Sequence, residues 1–320
     1  MNDYILSIIL GIVEGLTEFL PVSSTAHLRI TQALFGVDLT SGYWKMYAIV
    51  IQLGAILSLP IYFRRRIATF LSTFPGGESG NGSVMSHPLT LTMIAFVFTA
   101  VPSFLLSKLI GENLESLFVM GASLVVGGIV MWIVDAAYGT PGRAPALPFA
   151  KTSLAKTSAT TSATTSAETP NDTSAFATRT MEDMTMAQAI WIGACQTLAA
   201  VFPGTSRSMA TIASGQLAGM SRAAALEFSF FLSMPTMAAA TLYDLFKSLR
   251  TNPGEAHPLG AVTMDTHGWI VLGIGFVVSF IVAYGVVAWF MKWVQKHGFV
   301  PFAIYRIVLG IGVLWWALAA

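Results

Sequence analysis

The amino-acid sequence predicts an all-α integral membrane protein with an inverted repeat, about six transmembrane helices and two re-entrant helical hairpins. The composition is the first reason: 54% of the 320 residues are hydrophobic and 10% are charged, whereas a soluble domain carries about 25% charged residues. The second reason is that several apolar runs reach the roughly 20 residues that a helix needs to cross a bilayer. The third is that two further apolar stretches are broken by polar residues and resemble one another.

Six apolar runs are long enough to be transmembrane helices. We predict these spans at about 45–63, 90–108, 117–138, 224–247, 268–291 and 300–319. Charged residues are rare within them, as expected where hydrocarbon is the solvent.

Two other apolar stretches, 4–36 and 184–220, are interrupted near their middle. Glu14, Glu18 and the segment PVSSTAH interrupt the first stretch, and the segment PGTSRS interrupts the second. Irregular backbone at membrane depth is tolerated only where protein or a water-filled cavity surrounds it. We therefore expect two re-entrant helical hairpins here rather than two more spans.

The two broken stretches align with each other without gaps. Placing 11–28 over 193–210 pairs Gly11 with Gly193, Pro21 with Pro203, and Ser24 with Ser206. In each half of the chain, a broken hairpin is followed by three spans. An odd number of spans inverts the second half relative to the first, and paired broken helices are typical of sites near the bilayer midplane.

The repeat divides the chain into three parts. Residues 1–138 form the first repeat, 184–320 form the second, and 139–183 connect them. The centre of the connection, KTSLAKTSATTSATTSAETPNDTS, buries too little apolar surface to fold. We expect a disordered cytoplasmic linker that takes no part in the chemistry.

The basic residues predict the orientation in the membrane. With the N-terminus outside, the inside segments 64–89, 139–183 and 292–299 carry nine Lys and Arg residues, and the outside connections carry three. The inside residues are Arg64, Arg65, Arg66, Arg143, Lys151, Lys156, Arg179, Lys292 and Lys296, and the outside residues are Lys108, Lys247 and Arg250. This bias fits the positive-inside rule and places both termini outside.

Glu14 and Glu18 lie four residues apart, so on a helix they share one face. Holding a charge in hydrocarbon costs of order 2.5–3.5 kcal/mol by insertion scales, and the two like charges also repel. A cation, a shared proton or a water-filled cavity must offset this cost and the repulsion between the two carboxylates. We expect a general base or a pair of metal ligands; the alternative is an interfacial helix whose carboxylates meet water.

Hydroxyl-rich segments follow both helix breaks. The first contains Ser23, Ser24, Thr25 and His27, and hydroxyls and amides at such a break form an anion-binding concavity. His27 is a candidate phosphate donor, nucleophile or acid. The second segment contains Gly204, Thr205, Ser206, Arg207, Ser208 and Thr211. Arg207 needs an anion at membrane depth, and its planar fork fits phosphate oxygens; the alternative is a structural ion pair with Glu14 or Glu18.

Other residues are less informative. The formal net charge of +1 argues against a nucleic-acid partner, which requires a basic face. Cys195 is the only cysteine and is expected to be a small buried residue. For Gln52, Glu227 and Arg306, structural support is the expected role.

The sequence resembles the undecaprenyl-diphosphate phosphatase family of the bacitracin-resistance type in four segments, LGIVEGLTEFLPVSSTAHL, FPGTSRSMATI, ALEFSFFLSMP and VPFAIYRI. The resemblance covers the chain apart from the linker. It implies a multi-pass enzyme of the bacterial cytoplasmic (inner) membrane that hydrolyses undecaprenyl diphosphate to the monophosphate and inorganic phosphate. That reaction recycles the lipid carrier for cell-wall synthesis and confers bacitracin resistance. The resemblance also implies an active site open to the periplasmic side.

The same resemblance implies roles for individual residues. The catalytic residues are Glu14, Glu18, Ser24, His27 and Arg207, and the substrate-binding residues are Ser23, Thr25, Gly204, Thr205, Ser206, Ser208 and Thr211. A divalent cation, Mg²⁺ or Ca²⁺, is implied as well, with Glu14 and Glu18 as candidate ligands. Whether two copies of the chain form a homodimer stays open.

Two questions stay open at the level of sequence. The attacking group is Ser24, His27 or water. The alternative function is a lipid-carrier flippase or secondary transporter, because transporters also use inverted repeats with broken helices. The arginine among hydroxyls favours phosphate chemistry over ion coupling. We also expect an apolar lateral groove between the hairpins that holds the prenyl chain.

Overall fold

The computed structural model describes residues 2–37, 42–77, 83–106, 116–139, 176, 178–249 and 264–319. Most of the predicted linker 139–183 lies outside the described residues, and so do Lys108, Arg143, Lys151, Lys156 and Arg250. The structure of the described part is α-helical, with one isolated β-bridge between Thr178 and Met220.

Eleven α-helices are found in the described part of the chain. They are α1 (Asp3–Thr17), α2 (Ser24–Leu34), α3 (Gly42–Tyr62), α4 (Arg64–Thr73), α5 (Pro88–Leu105), α6 (Leu117–Tyr138), α7 (Met186–Val201), α8 (Arg207–Leu217), α9 (Arg222–Leu249), α10 (Thr266–Lys296) and α11 (Val300–Ala319). Short 3₁₀ helices occupy Val84–Ser86 and Met181–Asp183.

The six predicted spans are confirmed as helices that are long and apolar enough to cross a membrane. They correspond to α3, α5, α6, the first 22 residues of α9, α10 and α11. The two broken stretches are each a pair of shorter helices, α1 with α2 and α7 with α8. We call these pairs the first hairpin and the second hairpin. One difference from the sequence analysis is α4, a ten-residue helix in the segment 64–89, for which the sequence predicts no helix.

The described chain forms two compact units. The first unit comprises Met1–Arg64 and Ser233–Phe290, and the second comprises Arg65–Leu232 and Met291–Ala320. Each unit contains one hairpin. This division by contact differs from the division into sequence repeats 1–138 and 184–320, so the repeat itself stays a prediction.

In the first unit, α1 packs closely on α10. A Cβ added at Gly11 would lie 2.8 Å from the Gly275 carbonyl oxygen, and one added at Gly15 would lie 2.6 Å from that of Ser279. Small residues permit such close approach of membrane helices. The Ser7 hydroxyl also donates to the Val271 carbonyl oxygen at 2.6 Å. These contacts fix the helix that carries Glu14 and ends next to Glu18.

In the second unit, the second hairpin is held from several sides. Gly193 of α7 lies against the backbone of Ala95 in α5, and the Thr99 hydroxyl donates to the Gly193 carbonyl oxygen at 2.8 Å. At the far end of α8, Gln216 donates to the buried carboxylate of Asp135 at 2.9 Å. The helix that begins with Arg207 is therefore anchored at its end.

The Asp135 carboxylate organises a further junction in the second unit. Arg222, at the start of α9, donates to it from Nε at 2.7 Å, and the Phe299 amide donates at 2.8 Å. Phe299 immediately precedes α11, so the carboxylate satisfies an amide at a helix N-terminus. One buried acid thus connects α6, α8, α9 and α11.

Candidate active site

The first hairpin turns between Thr17 and Ser24. Ser23, which precedes α2, has a φ of 73°. This left-handed conformation costs a non-glycine residue of order 1–3 kcal/mol and is found preferentially at functional sites. The turn places the hydroxyl of Ser24, the first residue of α2, next to the end of α1.

The Ser24 hydroxyl donates a hydrogen bond of 2.5 Å to Oε2 of Glu18. The Gln52 side-chain amide donates to the same carboxylate oxygen at 3.4 Å. Glu18 and Ser24 are both buried, with exposed fractions of 6% and 7%. The pair therefore consists of a hydroxyl whose proton points at a buried base, which is the arrangement that activates a serine nucleophile.

Glu14 lies one helical turn before Glu18 and is completely buried. The structure thus surrounds both carboxylates with protein atoms. This burial argues against the alternative in which they lie on an interfacial helix and simply meet water. It fits the predicted role as a base or ligand pair, which stays a prediction.

His27 is half-buried on the first turns of α2, and its Nδ1 lies 2.7 Å from the carbonyl oxygen of Ser23. A carbonyl oxygen only accepts, so Nδ1 carries the proton of this hydrogen bond. In the neutral ring, Nε2 is then the atom with the lone pair. The bond fixes the orientation of the imidazole relative to the turn. Thr25 is half-buried on the same helix.

The second hairpin turns between Val201 and Arg207 and repeats the unusual backbone of the first. Ser206 has a φ of 70°, and its hydroxyl accepts from the Met209 amide at 3.4 Å. Gly204 has a φ of 96° and touches the backbone of Met120. Only glycine fits there, because it tolerates positive φ and leaves room for the neighbouring backbone.

Arg207 is the first residue of α8 and is half-buried. A helix N-terminus presents amides and a positive dipole end to an anion, and the guanidinium adds a full charge at the same place. One turn later, the buried hydroxyl of Thr211 donates to Ser229 at 2.6 Å. Ser208 is buried, and Thr205 is half-buried. The second break therefore has the chemistry of a phosphate site.

Arg306 is a functional candidate to which the sequence analysis assigned only structural support. It is completely buried in α11. Its Nη2 donates to the Gly204 carbonyl oxygen at 2.9 Å and to that of Ser123 at 3.3 Å. A buried cation thus holds the turn that precedes Arg207. The signal in the sequence was an arginine inside an apolar span, which is rare enough to indicate function.

Arg66 is a second residue whose contacts the sequence did not reveal. In the second unit, it forms ion pairs with Glu182 at 2.6 Å and with Glu227 at 2.9 Å. Its guanidinium carbon lies 4.6 Å from the centre of the Phe70 ring. Burial lowers the pKa of Arg66, but the hydrogen bonds to the two carboxylates raise it overall. Glu227 therefore has the supporting role that the sequence suggested.

The structure brings together some of the predicted residues. Glu18 and Ser24 are in contact, and His27 is tied to Ser23; these four belong to the first unit. Arg207 and Ser206 belong to the second unit. Among the described residues, no group of three or more His, Cys, Asp and Glu side chains is arranged to hold a metal ion.

Fold and site together define an all-α, multi-pass membrane protein with two broken hairpins, one with a buried carboxylate–serine pair and one with an arginine at a helix start. A family model described as bacitracin resistance protein BacA matches residues 7–312. The chain belongs to this family.

Curated relatives extend the comparison over the whole chain. Similar proteins include an undecaprenyl-diphosphatase of Koribacter versatilis, 59% identical over 99% of both chains. Another undecaprenyl-diphosphatase, from Caldanaerobacter subterraneus, is 35% identical over 98% of this chain and 96% of its own. Undecaprenyl-diphosphatase 2 of Paramagnetospirillum magneticum is 37% identical over 95% of both.

Proposed function

We propose that this protein hydrolyses undecaprenyl diphosphate to undecaprenyl phosphate and inorganic phosphate. The reaction returns the lipid carrier to cell-wall synthesis and confers bacitracin resistance. Membership of the BacA family and the names of the similar proteins support the reaction. The observation that carries it is the buried hydrogen bond from Ser24 to Glu18, because it prepares a hydroxyl for attack on phosphorus.

In the proposed first step, Ser24 Oγ attacks the terminal phosphorus while Glu18 takes the hydroxyl proton. The Oγ–P bond forms, and the bond from this phosphorus to the bridging oxygen breaks. Undecaprenyl phosphate leaves, and Ser24 carries the phosphoryl group. In the second step, water attacks the phosphoserine, which releases inorganic phosphate and restores the hydroxyl.

His27 is proposed to act on the phosphoryl group through Nε2. Its Nδ1 is committed to the Ser23 carbonyl oxygen, so the ring has a defined orientation. A protonated Nε2 donates to a phosphate oxygen, and a neutral one accepts a proton from water in the second step. Both roles need the orientation that the Ser23 contact gives.

Arg207 is proposed to neutralise the charge of the diphosphate. Negative charge on the bridging oxygen grows as the bond to the terminal phosphorus breaks, and a positive group that is already in place stabilises it. The start of α8 adds its amides and dipole. Ser206 and Gly204 support this role by fixing the turn that leads into Arg207.

The family resemblance implies a divalent cation, and the carboxylates of Glu14 and Glu18 are suitable ligands for one. Mg²⁺ is commonly held by one or two carboxylates together with phosphate oxygens of the substrate, and here two buried carboxylates lie one helical turn apart. The proposed ligands are therefore Glu14, Glu18 and the diphosphate. When bound, the cation neutralises charge on the phosphate oxygens.

The proposed location is the bacterial cytoplasmic membrane, with the site open to the periplasmic side. The nine-to-three bias of basic residues between the predicted inside and outside segments supports an orientation with both termini outside, and the family resemblance implies that the site opens to the periplasmic side. A cysteine placed in segment 76–83, in a Cys195→Ser background, should resist an impermeant thiol reagent in intact cells. A cysteine in segment 252–258 should react. The reverse labelling pattern would show that the orientation in the membrane is opposite to the proposed one.

Phosphate release by the purified protein tests the proposed reaction. We expect release of inorganic phosphate from undecaprenyl diphosphate by the wild-type protein and none above background by Glu18→Gln. Transport activity of a flippase or secondary transporter would instead proceed without phosphate release. Intact diphosphate after incubation with folded wild-type protein and Mg²⁺ or Ca²⁺ would refute the proposal.

A further inference from the structure

An elongated apolar cavity of about 640 Å³ lies within the second unit. It is bordered by α6 and by both helices of the second hairpin. Its walls include the side chains of Phe118, Val126, Trp191, Leu198 and Phe202. Its size falls within the range of about 300–1,000 Å³ that is typical of small-molecule sites.

The cavity extends away from the turn that carries Arg207. Thr205 and Met209 line it at this turn, and Leu217 lines it at the far end of α8. Along α6, the lining runs from Phe118 to Val130, which corresponds to about 18 Å at 1.5 Å per residue. The cavity is thus a groove with the turn at one end.

The groove is built to stay open and apolar. A Cβ added at Gly127 would meet Nη2 of Arg306 and would lie 2.8 Å from the terminal methyl group of Met209, so glycine at this position lets both side chains pack tightly behind the wall. The indole N–H of Trp191 donates to the Ser214 carbonyl oxygen at 3.1 Å and thus needs no partner from a ligand. The exposed side chains of Val126 and Leu198 border the groove, so a chain can enter from the side.

We propose that this groove binds the part of the isoprenoid chain nearest the diphosphate. The inference rests on the proposed function. A polyprenyl diphosphate is charged at its diphosphate end and apolar along the rest of its length, and the second unit has Arg207 at a turn from which an apolar groove starts. The sequence predicted such a groove between the hairpins; this one lies beside the second hairpin. Its limited length means that the rest of the chain stays in the bilayer.

A substitution at the far end of the groove tests this proposal. Val130 lines the groove and is 41% exposed, and its neighbour Ile129 is 44% exposed without lining it. For Val130→Trp, we expect the ratio of kcat/KM for undecaprenyl diphosphate to that for geranyl diphosphate to fall about tenfold, the effect of roughly two lost methylene contacts. Ile129→Trp should leave the ratio unchanged.

An unchanged ratio in Val130→Trp would place the chain outside the groove, and an equal fall in both variants would point to a general effect of bulk. Wild-type protein that releases no phosphate from either substrate would refute the proposed function instead. The two failures are therefore distinguishable.

The native cysteine gives a second measurement without any substitution. Cys195 is the only cysteine and lines the groove. Undecaprenyl phosphate should slow the reaction of Cys195 with N-ethylmaleimide, and a phospholipid at the same concentration should not. Equal protection by both lipids would show that any acyl chain enters the groove, which would overturn a specific isoprenoid site.

Discussion

The two hairpins share a backbone and differ in chemistry. Each breaks after its first helix, and each restarts after a serine with positive φ, Ser23 in the first hairpin and Ser206 in the second. The first helical residue is then Ser24 in one hairpin and Arg207 in the other. The same structural position thus provides a hydroxyl beside a carboxylate in one case and a positive charge in the other.

The conformations of the two breaks are offset by one residue from the ungapped alignment of the predicted repeat. That alignment pairs Ser24 with Ser206, whereas the serines with positive φ are Ser23 and Ser206. The two breaks therefore share a backbone conformation but present different side chains.

The largest effect should come from the first hairpin. Ser24→Ala removes the hydroxyl that donates to Glu18, and we expect kcat to fall at least about a thousandfold, since losing a nucleophile costs a serine hydrolase even more. The measurement is phosphate release at saturating undecaprenyl diphosphate. Ser58→Ala in α3, whose hydroxyl is buried and bonded to the Ala55 carbonyl oxygen, is the matched control. A Ser24→Ala variant with near-normal turnover would leave His27 or water as the attacking group.

The second hairpin should give the next largest effect. We expect Arg207→Ala to reduce kcat/KM by about a hundredfold to a thousandfold, as for the loss of one preorganised group that stabilises charge. Arg207→Lys should also be poor, because a point charge lacks the bidentate fork. Steady-state kinetics of both variants test this. Normal turnover in the lysine variant would show that catalysis does not need a bidentate interaction at this position.

A smaller effect is expected from the residue that positions the second turn. Arg306→Met removes the donor to the Gly204 carbonyl oxygen, and we expect kcat to fall about tenfold with lower thermal stability, because a buried carbonyl loses its partner. Arg306→Lys should restore part of the kcat.

The control for Arg306 is Arg222→Met, which disrupts the Asp135 junction in the same unit without touching the turn. It should lower the melting temperature but not the kcat of the folded fraction. An equal loss of kcat in both variants would mean that general destabilisation, rather than the turn, explains the result.

The predictions from sequence succeeded where a single strong pattern decides the structure. The six spans were predictable because hydrocarbon demands long apolar runs, and the two breaks were predictable from Pro21, Pro203 and the polar residues around them. The helix α4 was missed, because three arginines at its start concealed the amphipathic pattern that buries Phe70.

The site was only partly predictable for a different reason. The residue types were visible, but the hydrogen bond between Glu18 and Ser24 crosses a turn whose form depends on Ser23 at positive φ. Serine gives no signal for this conformation, which usually indicates glycine. The contact of Arg306 with Gly204 spans 102 positions, and no spacing rule reveals a contact over such a separation.

The smallest effect is expected from a deletion in the predicted linker 139–183. Deleting 155–175 should leave phosphate release within about twofold of wild type, because polar low-complexity tracts tolerate change. The measurement is turnover per mole of membrane-inserted protein. A deletion variant that inserts normally but loses turnover would show that the linker contributes to one of the hairpins.

The most direct test of the central claim is to trap the phosphoryl group on the protein. Undecaprenyl diphosphate labelled with ³²P at its terminal phosphorus would be mixed with wild-type protein, and samples would be quenched within the first turnover, one in acid and one in alkaline detergent. We expect acid-stable label on the peptide that contains Ser24, and no label on Ser24→Ala. Label that is lost in acid, survives in alkali and maps to His27, or label found only in inorganic phosphate under both quenches, would contradict a phosphoserine intermediate.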